Sequence, residues 1–265
     1  MKNIMTKLAG ALTLSIGFSG SLMAQSSPTL VFVHGAHFSA NAWAKVQQEL
    51  NSKVANIAID LPGRKDNITP NKVSLELSAA ALCTSLGKIK GEKIIISHSQ
   101  GGAVTNASLG LCPTEAISKL IYVTSVAPLE GESAFDSLSD QDGKNYFNGV
   151  VYDETSTLLN ISNDDKFAET FAPKANKTQL RWLAKHAVSE PSVLAESKLS
   201  LDAERYDNLA KYYVFAKQDK IISLSTQEQI ASKLSLTQSF EIDSGHLPML
   251  THADTLAEII ENIVK

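Results

Sequence analysis

Short runs of consecutive apolar residues punctuate this chain, and between them the apolar positions open out to spacings of three and four. An unbroken run reads as a strand buried on both faces, and the wider spacing reads as a helix with one core-facing stripe. Residues 29–33, 54–60, 93–99, 119–125, 211–216 and 237–242 are of the first kind. Residues 73–89 carry Leu75, Ala79, Leu82, Leu86 and Ile89 in line and are of the second. So are the stretch with Trp43, Val46 and Leu50, residues 224–234, and the closing segment with Leu256, Ile259, Ile260 and Ile263. Strands alternating with helices predict a mostly parallel, doubly wound sheet with right-handed crossovers and helices on both faces. In such sheets ligands bind beyond the carboxyl ends of the strands.

Between residues 129 and 203 the pattern changes to a polar stretch rich in Ser, Asp and Asn. Helical stretches are predicted at 165–171, 177–186 and 192–198, separated by Pro173 and Pro191. We read this stretch as a mainly helical cap inserted into a core of residues 28–128 and 204–265. No internal repeat or heptad pattern is visible.

One strand has unusual surroundings. Residues 93–99 end in Ser97-His98-Ser99-Gln100-Gly101-Gly102, and an alanine-containing helical pattern begins directly afterwards. Strand, tight turn and helix around a serine is the context of a nucleophile elbow, in which a strained turn lifts the hydroxyl above the sheet. Small neighbours are needed there, and the following helix points its free N–H groups at any anion that forms. Ser97 replaces the first glycine of the usual Gly-x-Ser-x-Gly pattern. A serine in an ordinary strand-to-helix loop is the plainer alternative.

Composition narrows the picture at the N-terminus. Lys2 and Lys7 precede an uncharged apolar run from Leu8 to Phe18, and small residues lead to Ala24. This is the pattern of an export signal spanning residues 1–24, cleaved after Ala24, with residues 25–265 as the mature chain in a periplasm or the medium. An uncleaved anchor is the alternative, although the run is short for a membrane span. Loss of the two lysines takes the formal charge from −4 to about −6. No basic stripe is present for nucleic acid. An oxidising compartment permits a disulfide between the two cysteines, Cys83 and Cys112, which lie near the ends of the helices flanking the elbow strand. Two buried thiols are the other possibility. No cofactor is implied, and no ligand spacing suggests a metal.

A serine hydroxyl needs a base, and a neutral imidazole serves if a carboxylate fixes its tautomer. Asp219 follows one late strand and His246 the next, so the chain order is Ser, Asp, His, each at a strand's carboxyl end. Asp243 is nearer His246 in sequence but reads as a turn residue, as does Asp60 before Leu61-Pro62-Gly63. His34 reads as structural, His98 as packing beside the elbow, and His186 and His252 as surface residues. His37 reads either as reaching the pocket mouth or as facing water. Phe171 and Trp182 read as pocket-lining or as cap residues packed on the core.

These stretches together resemble the α/β-hydrolase superfamily, in particular the plant methylesterase and hydroxynitrile lyase branch and related small bacterial esterases. The resemblance covers nearly all of the chain from Thr29 onward. It rests on Val33-His34-Gly35-Ala36, Asp60-Leu61-Pro62-Gly63, His98-Ser99-Gln100-Gly101-Gly102, Val126-Ala127-Pro128 with Gly131-Glu132-Ser133, Gln218-Asp219-Lys220 and Gly245-His246-Leu247-Pro248-Met249-Leu250. It implies the α/β-hydrolase fold, Ser99 as nucleophile, His246 as base, Asp219 as its partner, and the backbone N–H groups of Ala36 and Gln100 as the oxyanion hole. The implied reaction is hydrolysis of a small-molecule carboxylic ester through an acyl-enzyme. A lyase of this branch is similar but carries a lysine where this chain has Leu247 and a threonine where it has Gly35. A non-catalytic ligand-binding protein on the same fold is the third possibility.

Overall fold

In a computed structural model of the protein, the structure describes residues 27–64 and 69–265; the predicted export signal lies outside them. Six parallel strands form the central sheet: β1 (Thr29–Val33), β2 (Asn56–Ile59), β3 (Lys93–Ser99), β4 (Ile117–Ser125), β8 (Ala210–Ala216) and β9 (Gln238–Ile242). Their order across the sheet is β2-β1-β3-β4-β8-β9. All seven residues of β3 are buried, as its unbroken apolar run requires of a strand covered on both faces.

Helix α1 (Ala44–Glu49) follows β1, α2 (Leu75–Leu86) follows β2 and α3 (Gly101–Leu109) follows β3. The chain steps from β1 outward to β2, then back past β1 to β3. With right-handed crossovers, this reversal puts α1 on one face and α2 and α3 on the other. The contacts agree, since α2 packs on α3 and α1 packs on the C-terminal helix, residues Ala253–Val264. The switch point therefore lies between β1 and β3, where a crevice opens at the strands' carboxyl ends.

Several predicted elements are shorter than their apolar runs. The helix predicted over 73–89 begins after Ser74, whose side chain accepts the N–H of Leu77 and so sets the start. The strand predicted over 54–60 keeps only Asn56–Ile59. Between β4 and β8 lie α4 (Asp140–Tyr146), α5 (Asp164–Phe171), α6 (Lys177–His186), α7 (Val193–Glu196) and α8 (Ala203–Asp207). The same stretch holds a small antiparallel sheet of β5 (Val150–Asp153), β6 (Leu158–Ile161) and β7 (Glu190–Pro191). The apolar pattern does not foretell this sheet, because Val151 and Tyr152 face outward, about half exposed, and β7 has only two residues. After β8 come α9 (Leu224–Ser232), α10 (Pro248–Thr251) and α11 (Ala253–Val264). Among the described residues, no helix is long and apolar enough to cross a membrane.

Candidate active site

The turn from β3 into α3 is shaped by backbone crowding. Ser99 has φ of 51°, a conformation that residues with a side chain seldom hold. A Cβ on Gly101 would stand 2.6 Å from the carbonyl oxygen of His34, and one on Gly102 would stand 2.0 Å from that of Val126. Both positions need glycine because neighbouring main chain occupies the space. Ser97, in the place of the first glycine, is fully buried. Ser125 Oγ donates to the carbonyl of Ser99 at 2.6 Å and pins the turn from the adjacent strand.

Three side chains from separate strand ends meet above this turn. Ser99 Oγ lies 3.0 Å from His246 Nε2, and His246 Nδ1 lies 2.7 Å from Asp219 Oδ2. A carboxylate only accepts, so Nδ1 carries the ring proton and Nε2 is free to accept from the serine. Asp219 is itself immobilised. Thr124 Oγ1 donates to its Oδ2, and the N–H groups of Ile221 and Ile222 donate to Oδ1 at 2.7 and 3.1 Å. His98 donates through Nε2 to the carbonyl of His246 at 2.8 Å, holding the loop of that histidine beside the elbow. Burial, and then the neighbouring His246, keep the pKa of His98 well below the usual histidine range. Asp243 instead binds Lys174 Nζ at 3.2 Å and Gln218 Nε2 at 3.1 Å, with a side chain 62% exposed. Asp60 accepts the N–H of Ala40 at 2.7 Å.

Ala36 and Gln100 line the same narrow cleft as Ser99. Among the described residues, neither of their N–H groups donates to main chain within a turn, loop or cap. Gly35 brings the β1 turn against the elbow, since a Cβ there would lie 2.7 Å from Ser99 Cβ. Apolar side chains close the cleft: Phe135, Leu138 and Tyr146 from the inserted stretch, and Ile221 and Ile222 after Asp219. Sequence reasoning did not single these out. The available signal was an apolar residue recurring in an otherwise polar insert, and an apolar pair directly behind the acid.

The histidine after this turn departs from its water-facing reading. His37 is fully buried. Its Nδ1 donates to the carbonyl of Val188 at 2.9 Å, which leaves Nε2 to accept from the Tyr146 hydroxyl at 2.8 Å. Burial lowers its pKa to about 4, against the opposing pull of Glu190. His34 is likewise buried and lowered to about 4, first by burial and then by Arg64. Its Nδ1 donates to the carbonyl of Gly35 and its Nε2 accepts the N–H of Leu61. Phe171 presents its edge to the His246 ring at 5.5 Å and stacks on Phe167. Trp182 stacks on His186 and is not among the residues lining the cleft at Ser99. His252, half-buried, pairs with Thr251. Cys83 and Cys112 are placed as a disulfide. Among the described residues, no cluster of His, Cys, Asp and Glu could hold a metal ion.

Known proteins share this architecture. Residues 30–259 match the sequence profile described as the Alpha/beta hydrolase family. The Arabidopsis thaliana protein named "Putative methylesterase 12, chloroplastic" is 29% identical over 253 residues, spanning 89% of this chain and 71% of its own. A pyrethroid hydrolase from Sphingobium faniae superimposes with a TM-score of 0.77 at 19% identity, over 89% of this chain and 97% of that one. A methylesterase from Arabidopsis does so with a TM-score of 0.73 at 20% identity, over 89% and 98%. At such identities the structural likenesses establish the fold.

Proposed function

The chain belongs to the Alpha/beta hydrolase family, and from that premise we propose that it is a carboxylic ester hydrolase acting through an acyl-enzyme on Ser99. His246 Nε2 takes the Ser99 proton as Oγ attacks the ester carbonyl, and the Asp219 carboxylate stabilises the imidazolium. The carbonyl oxygen becomes an oxyanion received by the N–H groups of Ala36 and Gln100. Loss of one such donor costs about 3 kcal/mol of transition-state stabilisation. The imidazolium then protonates the departing alkoxide, leaving the acyl group on Ser99. Water attacks that acyl group while giving a proton to His246, and collapse of the second intermediate returns the proton to Ser99 Oγ and releases the acid.

The observation that carries this reading is the hydrogen-bonded line from Ser99 through His246 to Asp219, with both ring nitrogens committed. The relative named a methylesterase supports a substrate with a small alcohol, and the apolar cleft wall supports an apolar acyl group. Leu247 supplies no cation beside the site, and a threonine in place of Gly35 would press its Cβ against that of Ser99. Both features favour hydrolysis over the lyase reaction. Export directed by residues 1–24, with residues 129–203 as the cap of the hydrolase core, belongs to the same proposal. The Cys83–Cys112 bond supports an oxidising destination.

The test is labelling with a serine-directed organophosphate alongside hydrolysis of short p-nitrophenyl esters. We expect one label, on Ser99, with loss of activity in proportion to labelling, and no turnover in Ser99→Ala. Full activity in Ser99→Ala would remove the mechanism.

A further inference from the structure

Glu190 is an acid that the reaction above does not use, yet it is fully buried within reach of both turns that form the site. It lies in β7, paired with Leu159 of β6, and so belongs to the inserted stretch rather than the core. Its Oε2 accepts the backbone N–H of His37 at 2.8 Å, and its Oε1 accepts Gln100 Nε2 at 3.0 Å. Arg64 pairs with Oε2 through Nη2, and its side chain is 1% exposed. Through Nε the same guanidinium donates to the carbonyl of Phe38 at 2.8 Å. The ion pair therefore grips the β1 turn at two successive residues, one by its N–H and the next by its C=O.

This grip falls beside the two proposed oxyanion donors. Ala36 precedes His37, and the Gln100 side chain hangs from the residue whose own N–H is the second donor. His37 has φ of 64°, a conformation that must be held from outside. Its outside holders are all cap residues: Glu190 takes its N–H, Val188 N donates to its carbonyl at 2.9 Å, and the Val188 carbonyl accepts from its ring. A buried carboxylate requires compensation, and Arg64 provides it, which limits the field that a negative charge would otherwise impose on a nearby oxyanion.

We propose that Glu190, neutralised by Arg64, is a positioning residue that fixes the Ala36 and Gln100 N–H groups at the spacing the oxyanion requires. The inference rests on the hydrolase reading of the same site. It assigns the cap a part in transition-state stabilisation, beyond walling the cleft.

The test compares Glu190→Gln with the wild-type protein, using p-nitrophenyl acetate and two ketones. Phenyl trifluoromethyl ketone accepts Ser99 Oγ at its carbonyl carbon, the proton passing to His246, and leaves a tetrahedral alkoxide in the oxyanion hole. Acetophenone serves as the matched ligand that forms no such adduct. We expect kcat to fall about 10- to 100-fold with KM within about twofold. Affinity for the trifluoromethyl ketone should fall by the same factor while that for acetophenone holds. Gln100→Ala keeps the ion pair and the main-chain N–H, so it should show the same signature more weakly, and it serves where thermal unfolding reveals that Glu190→Gln has not folded. A folded Glu190→Gln with unchanged kcat and trifluoromethyl ketone affinity overturns the proposal, as does a rise in KM with kcat intact. Run alongside, Ser99→Ala separates the two readings. If it is inactive while Glu190→Gln is unaffected, only the positioning role falls; if it is fully active, both fall together.

Discussion

Lowering the pH from 7 to 5 should destabilise this protein by at least about 4 kcal/mol through His34 and His37, two histidines that the fold keeps neutral, with buried His98 acting in the same direction. His34 and His37 are buried, and burial is the largest cause lowering each pKa from 6.5 to about 4. In the folded state both rings stay uncharged down to about pH 4, whereas the unfolded chain protonates them from about 6.5. Between those values the unfolded state binds more protons, so stability is complete above the upper one and is lost as pH falls toward the lower. At pH 5 the loss is about 2 kcal/mol for each ring. The geometry explains the resistance. Protonation would add a hydrogen to His34 Nε2, which already accepts the N–H of Leu61, a main-chain donor that cannot turn away. His37 Nε2 accepts from the Tyr146 hydroxyl, which can rotate, so its penalty lies more in desolvation. Urea unfolding followed by fluorescence at pH 7, 6 and 5 should lower the midpoint by at least about 1.5 M in all. His37→Gln should flatten that slope. Equal midpoints at pH 7 and 5 would refute the reasoning, because they would mean that neither ring takes up a proton on unfolding.

Further outcomes are expected from the same structure. Asp219→Asn should lower kcat by about 10⁴-fold because the imidazole loses its oriented tautomer; Asp243→Asn, whose side chain is exposed and pairs with Lys174 and Gln218, should be mild, and a reversal of the two would transfer the role of the acid. Thiol titration of denatured, unreduced protein should find no free thiol, and reduction should destabilise the protein by about 3–4 kcal/mol because the bond spans a separation of 29 residues. Two titratable thiols would rule the bond out.

The sheet was legible because burial on both faces leaves an unbroken apolar run, as in Ile94-Ile95-Ile96, and chain order then dictates the crossovers. Helix ends were less so. Ser74 stops α2 short of Val73, and that boundary depends on one side-chain bond rather than on the stripe. The elbow announced itself through Gly101 and Gly102, whose missing side chains are forced by carbonyl groups of His34 and Val126. Asp219 was preferable to Asp243 because it supplies a carboxylate after the strand before that of His246, giving the order Ser, Asp, His at successive strand ends, whereas Asp243 leads straight out of β9 as a turn residue. For His37 the sequence left the pocket mouth and solvent both open, and its burial removes the second. A polar residue in a loop reads as solvated, and its actual partners, Val188 and Tyr146, are 151 and 109 residues away.

Glu190 was silent for a related reason, and the difference is physical. A nucleophile elbow shows in the sequence because crowding by neighbouring main chain, wherever that chain comes from, demands small residues right beside the serine. A buried carboxylate is specified by what neutralises it, and here those groups come from residues 37, 64 and 100, all supplied by the core. A Glu in a polar insert looks like any solvated Glu until the insert folds back. His37 ties these observations together. Its left-handed backbone, its buried ring and its N–H bonded to Glu190 are all held by residues 188–190, between β4 and β8. The turn that bears Ala36 is thus completed by a segment remote from it in sequence. The small sheet of β5, β6 and β7, which no apolar run foretold, is what brings Glu190 into line with Gln100.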